Sequence, residues 1–338
     1  MRVRAGSVLG GASGRSGCGT MSGRKRNPGG GGGERLPDFL IIGAMKAGTT
    51  SLFRDLMTHP RVYFPLDKEP GNLCDDRVLT PEGRAEYAAH FRRARADQVC
   101  GEASTAYTKI PVYTGAAERA RAMLAPGLKV IYLVREPVSR IVSQHYHEVI
   151  IRDLEVEDDV NAAVRRFPRY IAYSRYAMQV EPWIAAFGRA NVRIVVFERY
   201  IKDRKGTVAD IERFLGLDPR PDLVETDRVF NAADSKPGHG GPFSWVPRLW
   251  VYRAVVRPVL SQEMRDRVRR LLNRRPPPKP APPTPETVAF LLDHLRADMA
   301  QMARLVAEQE GVEAAVPLWD EGAIRARYSG RTGEGVAS

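Results

Sequence analysis

The stretch IIGAMKAGTTSL, residues 41–52, constrains the fold more than any other part of this 338-residue chain. An apolar run ends at Gly43, a short loop follows, Gly48 closes it, and Thr49, Thr50 and Ser51 open the next segment. A strand that turns at one glycine and starts a helix at a second brings backbone N–H groups close to an anion. The positive end of that helix adds roughly 0.3–2 kcal/mol toward the same anion. Gly43 and Gly48 have the spacing of the nucleoside-triphosphatase loop, G-x-x-x-x-G-K-[ST]. Here, however, Lys46 comes two residues before the second glycine, and Thr49 stands where that lysine belongs. The loop is either a defective ATP loop or an intact site for a different phosphate ligand. A plain strand–turn–helix, with glycines for geometry alone, is the competing reading. A lysine and three hydroxyl residues in one loop weigh against it.

Around this loop, short apolar runs alternate with helical patterns. DFLII (38–42), LKVIYLV (128–134) and VRIVVF (192–197) read as buried strands. Helices are expected over 49–57, over 80–91 from a Thr80 cap and Pro81, after Pro137, and over 207–217. This alternation predicts an α/β fold, a single domain with a central, mainly parallel sheet flanked by helices. Residues 1–35, ending in NPGGGGGER, read as a disordered low-complexity tail with Met21 as an alternative start. The folded domain is expected over 36–322, with RRPPPKPAPPTPE (274–286) as a proline-rich connector inside it. Residues 323–338 read as a C-terminal tail. From Thr284 and Pro285 a long helix repeats Phe290, Leu291, Leu295, Met299, Met302 and Leu305 at helical spacing, a stripe for core packing.

The net charge of +12 points to an anionic ligand or partner without naming its kind. No basic motif interleaved with aromatics and no zinc-finger spacing occurs, so nucleic acid is not an expected partner. Cys18, Cys74 and Cys100 are odd in number and match no metal motif. A disulfide framework is not expected, which fits a reducing compartment. No apolar run reaches the roughly 18 residues of a transmembrane span, and the N-terminus lacks the apolar core of a secretory signal.

A second constellation is LVREPVSRIVSQHYHEV, residues 133–149. Arg135 leaves the C-terminal end of a strand, where α/β folds bind ligands. Ser143 follows about two helical turns later. The planar guanidinium suits a phosphate, and the serine adds a hydroxyl. Alternatively, Arg135 pairs with a neighbouring carboxylate.

Together, KAGTTSL (46–52) and REPVSRIVS (135–143) resemble the paired motifs of the sulfotransferase family that uses 3′-phosphoadenosine-5′-phosphosulfate (PAPS). In that family a K-x-G-T-T-S-L-like loop holds the 5′-phosphosulfate, and R-x-P-x-x-R-x-x-S holds the 3′-phosphate. DKEP (67–70) looks like the K-E-P segment of the branch containing the heparan sulfate sulfotransferases. GEASTAY (101–107), SRYAMQVEPWIAAF (174–187), VVFERYIKDRKGTVADIERFLGLDP (195–219), FNAADSKPG (230–238) and VPLW (316–319) resemble later blocks, several of them of bacterial type.

The resemblance implies a P-loop-like phosphosulfate loop, PAPS as cofactor with PAP as product, and no metal. Lys46, Ala47, Gly48, Thr49, Thr50 and Ser51 would hold the 5′ side, and Arg135 and Ser143 the 3′-phosphate. Lys46 would also stabilise the leaving group, and Glu69 would be the base, a role that calls for a raised pKa. GNLC (71–74) replaces the aromatic pair usual after K-E-P and leaves the acceptor pocket's shape open. Lys68, Glu102 and His145 are weaker candidates for acceptor binding. Glu102 lacks its usual lysine neighbour, since Ala103 follows it, and His145 and His147 compete with Glu69 as base. Arg-rich RDRVRRLLNRR (265–275) reads as a solvated helix face, or as a contact for an anionic acceptor or membrane surface. The expected acceptor is a carbohydrate or glycolipid hydroxyl, with an amine, small metabolite or lipid hydroxyl also allowed, in a cytoplasmic enzyme. The rival readings are a non-catalytic PAP- or glycan-binding relative and a P-loop kinase.

Overall fold

The first strand, β1 (Phe39–Gly43), is buried along its whole length, and the rest of the sheet is built around it. The computed structural model describes residues 34–65, 68–151, 155–226, 279–313 and 317–329. In chain order, α1 (Thr49–Met57), β2 (Val62–Tyr63), α2 (Pro81–Ala89), β3 (Val99–Ala103), α3 (Ala116–Met123) and β4 (Lys129–Val134) follow. Next come α4 (Pro137–Ile151), α5 (Val160–Arg166), α6 (Arg169–Ala172), α7 (Tyr176–Phe187), β5 (Val192–Val196), α8 (Phe197–Lys202) and α9 (Arg204–Phe214). The last described helices are α10 (Pro285–Glu310) and α11 (Glu321–Ser329).

The strands lie in the order β2-β3-β1-β4-β5, every pair parallel. Parallel neighbours need crossovers, and the helices supply them while covering both faces. That is why FLIIG and KVIYLV are nearly continuous apolar runs rather than alternating ones. The chain first builds outward from β1 to β2 and β3, then crosses to β4 and β5 on the other side. A ligand crevice belongs at this reversal, beyond the C-terminal ends of the strands. The register of β1 on β4 shifts between Ile41 and Gly43, where the chain leaves the sheet for the 44–48 loop.

The expected strands and the first helix are found within a residue or two, and the mainly parallel α/β sheet is as the pattern predicts. Thr284 caps α10 through Thr287 N, with Pro285 in its first turn. Leu291, Leu295, Met299 and Met302 of the α10 stripe are buried, and Phe290 and Leu305 pack against the core. The helix expected over 207–217 begins earlier, at Arg204, because the Asp203 carboxylate accepts from Gly206 N at 2.9 Å and caps it. Helix α11 runs across the boundary expected at residue 322, since Ile324 and Tyr328 bury their side chains. The short β2 and helices α3, α5 and α6 are too brief or too weakly periodic to read from sequence. Residues 1–33, the 230–238 and 265–275 segments and the start of the proline-rich connector lie outside the described residues.

Candidate active site

Two glycines shape the loop after β1. At Gly43, φ is +153°, and an added Cβ would lie 2.0 Å from Thr108 Oγ1. At Gly48, φ is +93°, and a Cβ would stand 2.7 and 2.8 Å from the Phe197 ring. Ala44 N donates to Leu133 O at 2.7 Å and Ala47 N to Ala44 O at 3.1 Å, which ties the loop to β4 and to itself. Ser51 N and Leu52 N donate to Gly48 O at 3.0 and 3.2 Å. The N–H groups of Gly48, Thr49 and Thr50 precede these bonds, and no side chain caps the helix. Lys46 sits inside the loop with φ of +69°. Gly48→Ala should therefore strain the backbone and push the Phe197 ring, costing roughly 1–3 kcal/mol. Chemical denaturation would read this as a lower midpoint, and PAP titration as weaker binding.

Arg135 closes over this loop from the end of β4. Its Nη1 donates to Lys46 O at 3.2 Å, bringing together residues 89 positions apart in sequence. Its guanidinium lies 4.8 Å from the centre of the same Phe197 ring that packs on Gly48. Tyr176 OH donates to Arg135 O at 2.8 Å and fixes the backbone there. Among the described residues no carboxylate forms an ion pair with Arg135, so the competing carboxylate-partner reading is not what is found. Ser143 lies half-buried on α4, two turns beyond.

The neighbours of Arg135 hold the frame. Glu136 accepts from Val138 N at 2.6 Å, from Ser139 N at 3.1 Å and from Arg327 Nη1 at 2.8 Å, capping α4 and pinning it to α11. Arg140, the second arginine of the motif, is fully buried. It donates to Ser174 Oγ and Gln144 Oε1 at 2.8 Å and to Tyr170 O at 2.9 Å, and its Nη1 approaches Met45 O at 3.5 Å. Sequence reasoning gave Arg140 no role. Its place in the motif was the only signal, and the structure makes it the strut under the loop.

Glu69 stands on the loop after β2 with φ of +65°, its N–H donating to Ala103 O at 2.9 Å. Lys68 Nζ donates to its Oε1 at 2.7 Å and Thr105 Oγ1 to its Oε2 at 3.3 Å, and the Glu69 side chain stays 43% exposed. Burial alone would raise its pKa, but the Lys68 and Lys109 charges and the two donated hydrogen bonds outweigh it and lower the pKa. The expectation of a raised pKa is thus corrected: two lysines hold the carboxylate ionised. Lys109 went unnoticed in the sequence. Nothing marks it there, because its approach to Glu69 depends on how the turn after β3 packs. Burial depresses its own pKa, and the Glu69 charge opposes that.

Two further candidates are placed elsewhere. Glu102 is 1% exposed, with Ser104 Oγ and Tyr107 OH donating to Oε1 at 2.7 and 2.6 Å and Tyr87 OH donating to Oε2. It is enclosed in the core and does not face an acceptor. His145 is also 1% exposed, with its Nε2 2.8 Å from Glu157 O and its ring against Tyr170. Burial removes it from the roles of base and acceptor contact, while His147 is half-buried on the same helix.

The sequence model of the sulfotransferase domain matches residues 110–236, a stretch that includes Arg135 and Ser143. The chain is 31% identical over 230 residues to heparan sulfate glucosamine 3-O-sulfotransferase 6 of Mus musculus, covering 63% of each chain. It is 29% identical over 196 residues to the 3-O-sulfotransferase 3B1 of the same organism, covering 56% of this chain and 48% of that one. The chain therefore spans less than two thirds of the length of these relatives. A solved sulfotransferase from Alicyclobacillus acidocaldarius is 29% identical, covering 59% of this chain and 88% of that one with a TM-score of 0.48. The resemblance carried by the two motifs is borne out: the chain is related to the PAPS-dependent sulfotransferases and resembles their heparan sulfate branch.

Proposed function

We propose that this protein transfers the sulfuryl group of PAPS to a hydroxyl or amine of an acceptor, with a carbohydrate or glycolipid as the favoured class. The observation that carries the proposal is the contact between Arg135 and the Lys46 carbonyl, which brings the two motifs together. The cradle fits the nucleotide's two anionic ends. The first N–H groups of the helix, at Gly48 to Thr50, and the hydroxyls of Thr49 to Ser51 suit the 5′ side, and Arg135 with Ser143 suits the 3′-phosphate.

PAPS supplies an activated sulfuryl group. Glu69 takes the proton of the acceptor hydroxyl as the acceptor oxygen bonds to sulfur. Lys46 would stand by the 5′ side and stabilise the negative charge of the departing PAP. Lys68 and Lys109 hold the Glu69 pKa down against the effect of burial, so Glu69 is ionised there and is a weaker base than an unperturbed carboxylate. Names of the heparan sulfate relatives support a glycan acceptor. A cytoplasmic location is part of the proposal, supported by free thiols at Cys74 and Cys100. Among the described residues no helix is long and apolar enough to cross a membrane.

A P-loop kinase would need a carboxylate beyond the second strand to hold magnesium. Glu136 follows β4, but its carboxylate is occupied in capping α4 and binding Arg327. The test is an acceptor screen with PAPS, reading PAP release and the sulfated product by mass spectrometry. Turnover on a glycan establishes the proposal. PAP binding without turnover on any acceptor class would instead favour the non-catalytic relative.

A further inference from the structure

We infer that Glu102, buried in β3, is a positioning residue for Glu69, acting through Ser104 and Tyr107 on the loop that carries it. The inference rests on the proposed function for the role of Glu69, and on geometry for everything else. Glu69 belongs to a loop whose next residues, Gly71 and Leu73, hang from two hydroxyls. Gly71 N donates to Ser104 Oγ at 3.1 Å, and Leu73 N donates to Tyr107 OH at 3.2 Å. A backbone N–H can only donate, so each hydroxyl oxygen must accept there and turn its own proton elsewhere. Both protons turn to the same atom, Glu102 Oε1, at 2.7 and 2.6 Å. Tyr87 OH completes the carboxylate at Oε2.

The result is a directed relay: backbone amides of 71 and 73, two hydroxyls, one buried acceptor. Glu102, Ser104, Tyr107 and Leu73 are all within 1% of complete burial, so water cannot replace a missing partner. An unpaired group in such a site costs its full desolvation penalty. Thr105, between the two hydroxyl residues, donates directly to Glu69, and Ala103 O receives the Glu69 N–H. Residues 102–107 thus form a template on which the base-bearing loop is cast. The GNLC stretch, residues 71–74, is the part that the template grips.

The relay makes a specific demand at position 102: an acceptor at Oε1, with no demand for charge. Glutamine satisfies it. Its carbonyl oxygen accepts from Ser104 and Tyr107, while its amide donates to Tyr87, whose hydroxyl can turn to accept. Methionine, of similar length, leaves both hydroxyl protons without an acceptor. A residue that bound the acceptor by charge or moved a proton would rank these variants differently, with glutamine as damaging as methionine.

The experiment compares the full chain with Glu102→Gln, Glu102→Met and Tyr107→Phe by amide hydrogen exchange, alongside PAP affinity and turnover. Exchange at Gly71 and Leu73 should rise about threefold to tenfold in Glu102→Met, and at Leu73 in Tyr107→Phe, matching the loss of one hydrogen bond. Glu102→Gln should exchange like the wild type, and PAP affinity in Tyr107→Phe should be unchanged. Turnover should fall through kcat in step with exchange. Should the wild type prove inactive while exchange follows this order, the assigned chemistry fails and the positioning of the loop stands. Unchanged exchange in Tyr107→Phe, a rise spread over the whole chain, or Glu102→Gln matching Glu102→Met would overturn the inference.

Discussion

Glu69→Gln is expected to lower kcat by about 10²–10⁴, the usual contribution of a positioned general base, with PAP affinity unchanged. The amide keeps the Lys68 and Thr105 neighbourhood in shape but cannot take a proton at neutral pH. The pH profile adds a signed prediction. The Glu69 pKa is lowered, because Lys68 and Lys109 and the donated hydrogen bonds overcome the effect of burial. The base therefore stays ionised as pH falls, and the acidic limb of kcat/KM should lie below the ordinary glutamate value of ~4.3. Lys68→Met removes the nearest cation, 2.7 Å from Oε1, and should move that limb upward. Stopped-flow or coupled PAP-release assays across pH would read both effects. An acidic limb that stayed in place in Lys68→Met would separate Glu69 from the proton transfer.

Lys46→Ala should cost about 10²–10³ in kcat, the price of removing one preorganised charge donor from a transition state. The loop itself should survive, because its geometry comes from Gly43, Gly48, the Ala44–Leu133 bond and the Arg135 contact with the Lys46 carbonyl. None of these uses the lysine side chain. PAP binding should weaken far less than turnover, which is the signature of an interaction that strengthens as the leaving group acquires charge. Equal losses in binding and turnover would make Lys46 a ground-state phosphate ligand only.

What the sequence shows of this fold and what it hides follow one physical division. β1, β4 and β5 are legible because strands buried on both faces must be apolar runs, and Gly43 and Pro137 mark where β1 and β4 give way. The 44–48 loop is legible because Gly43 and Gly48 serve conformations that a side chain would obstruct. Arg135 stands out as a candidate from its place at a strand end, and the structure adds its contact with the loop carbonyl. Glu102 and His145 mislead for a common reason. A polar residue beside a motif looks available, and only tertiary packing shows both closed off by three hydroxyls or by a backbone carbonyl. Lys109 is invisible for the opposite reason, since it reaches Glu69 through the turn after β3. The α11 helix is hidden in the sequence because two buried residues, Ile324 and Tyr328, are too few to form a periodic signal.

Whether Arg135 and the 44–51 loop together hold PAP by its two phosphates is tested most directly by calorimetric titration with PAP and ATP. The wild type should bind PAP tightly and ATP weakly, and Arg135→Ala should weaken PAP by about tenfold to a hundredfold or more while leaving ATP little changed, as expected for loss of a charge-assisted bond. ATP binding as tight as PAP, or PAP binding indifferent to Arg135, would contradict the assignment of both motifs.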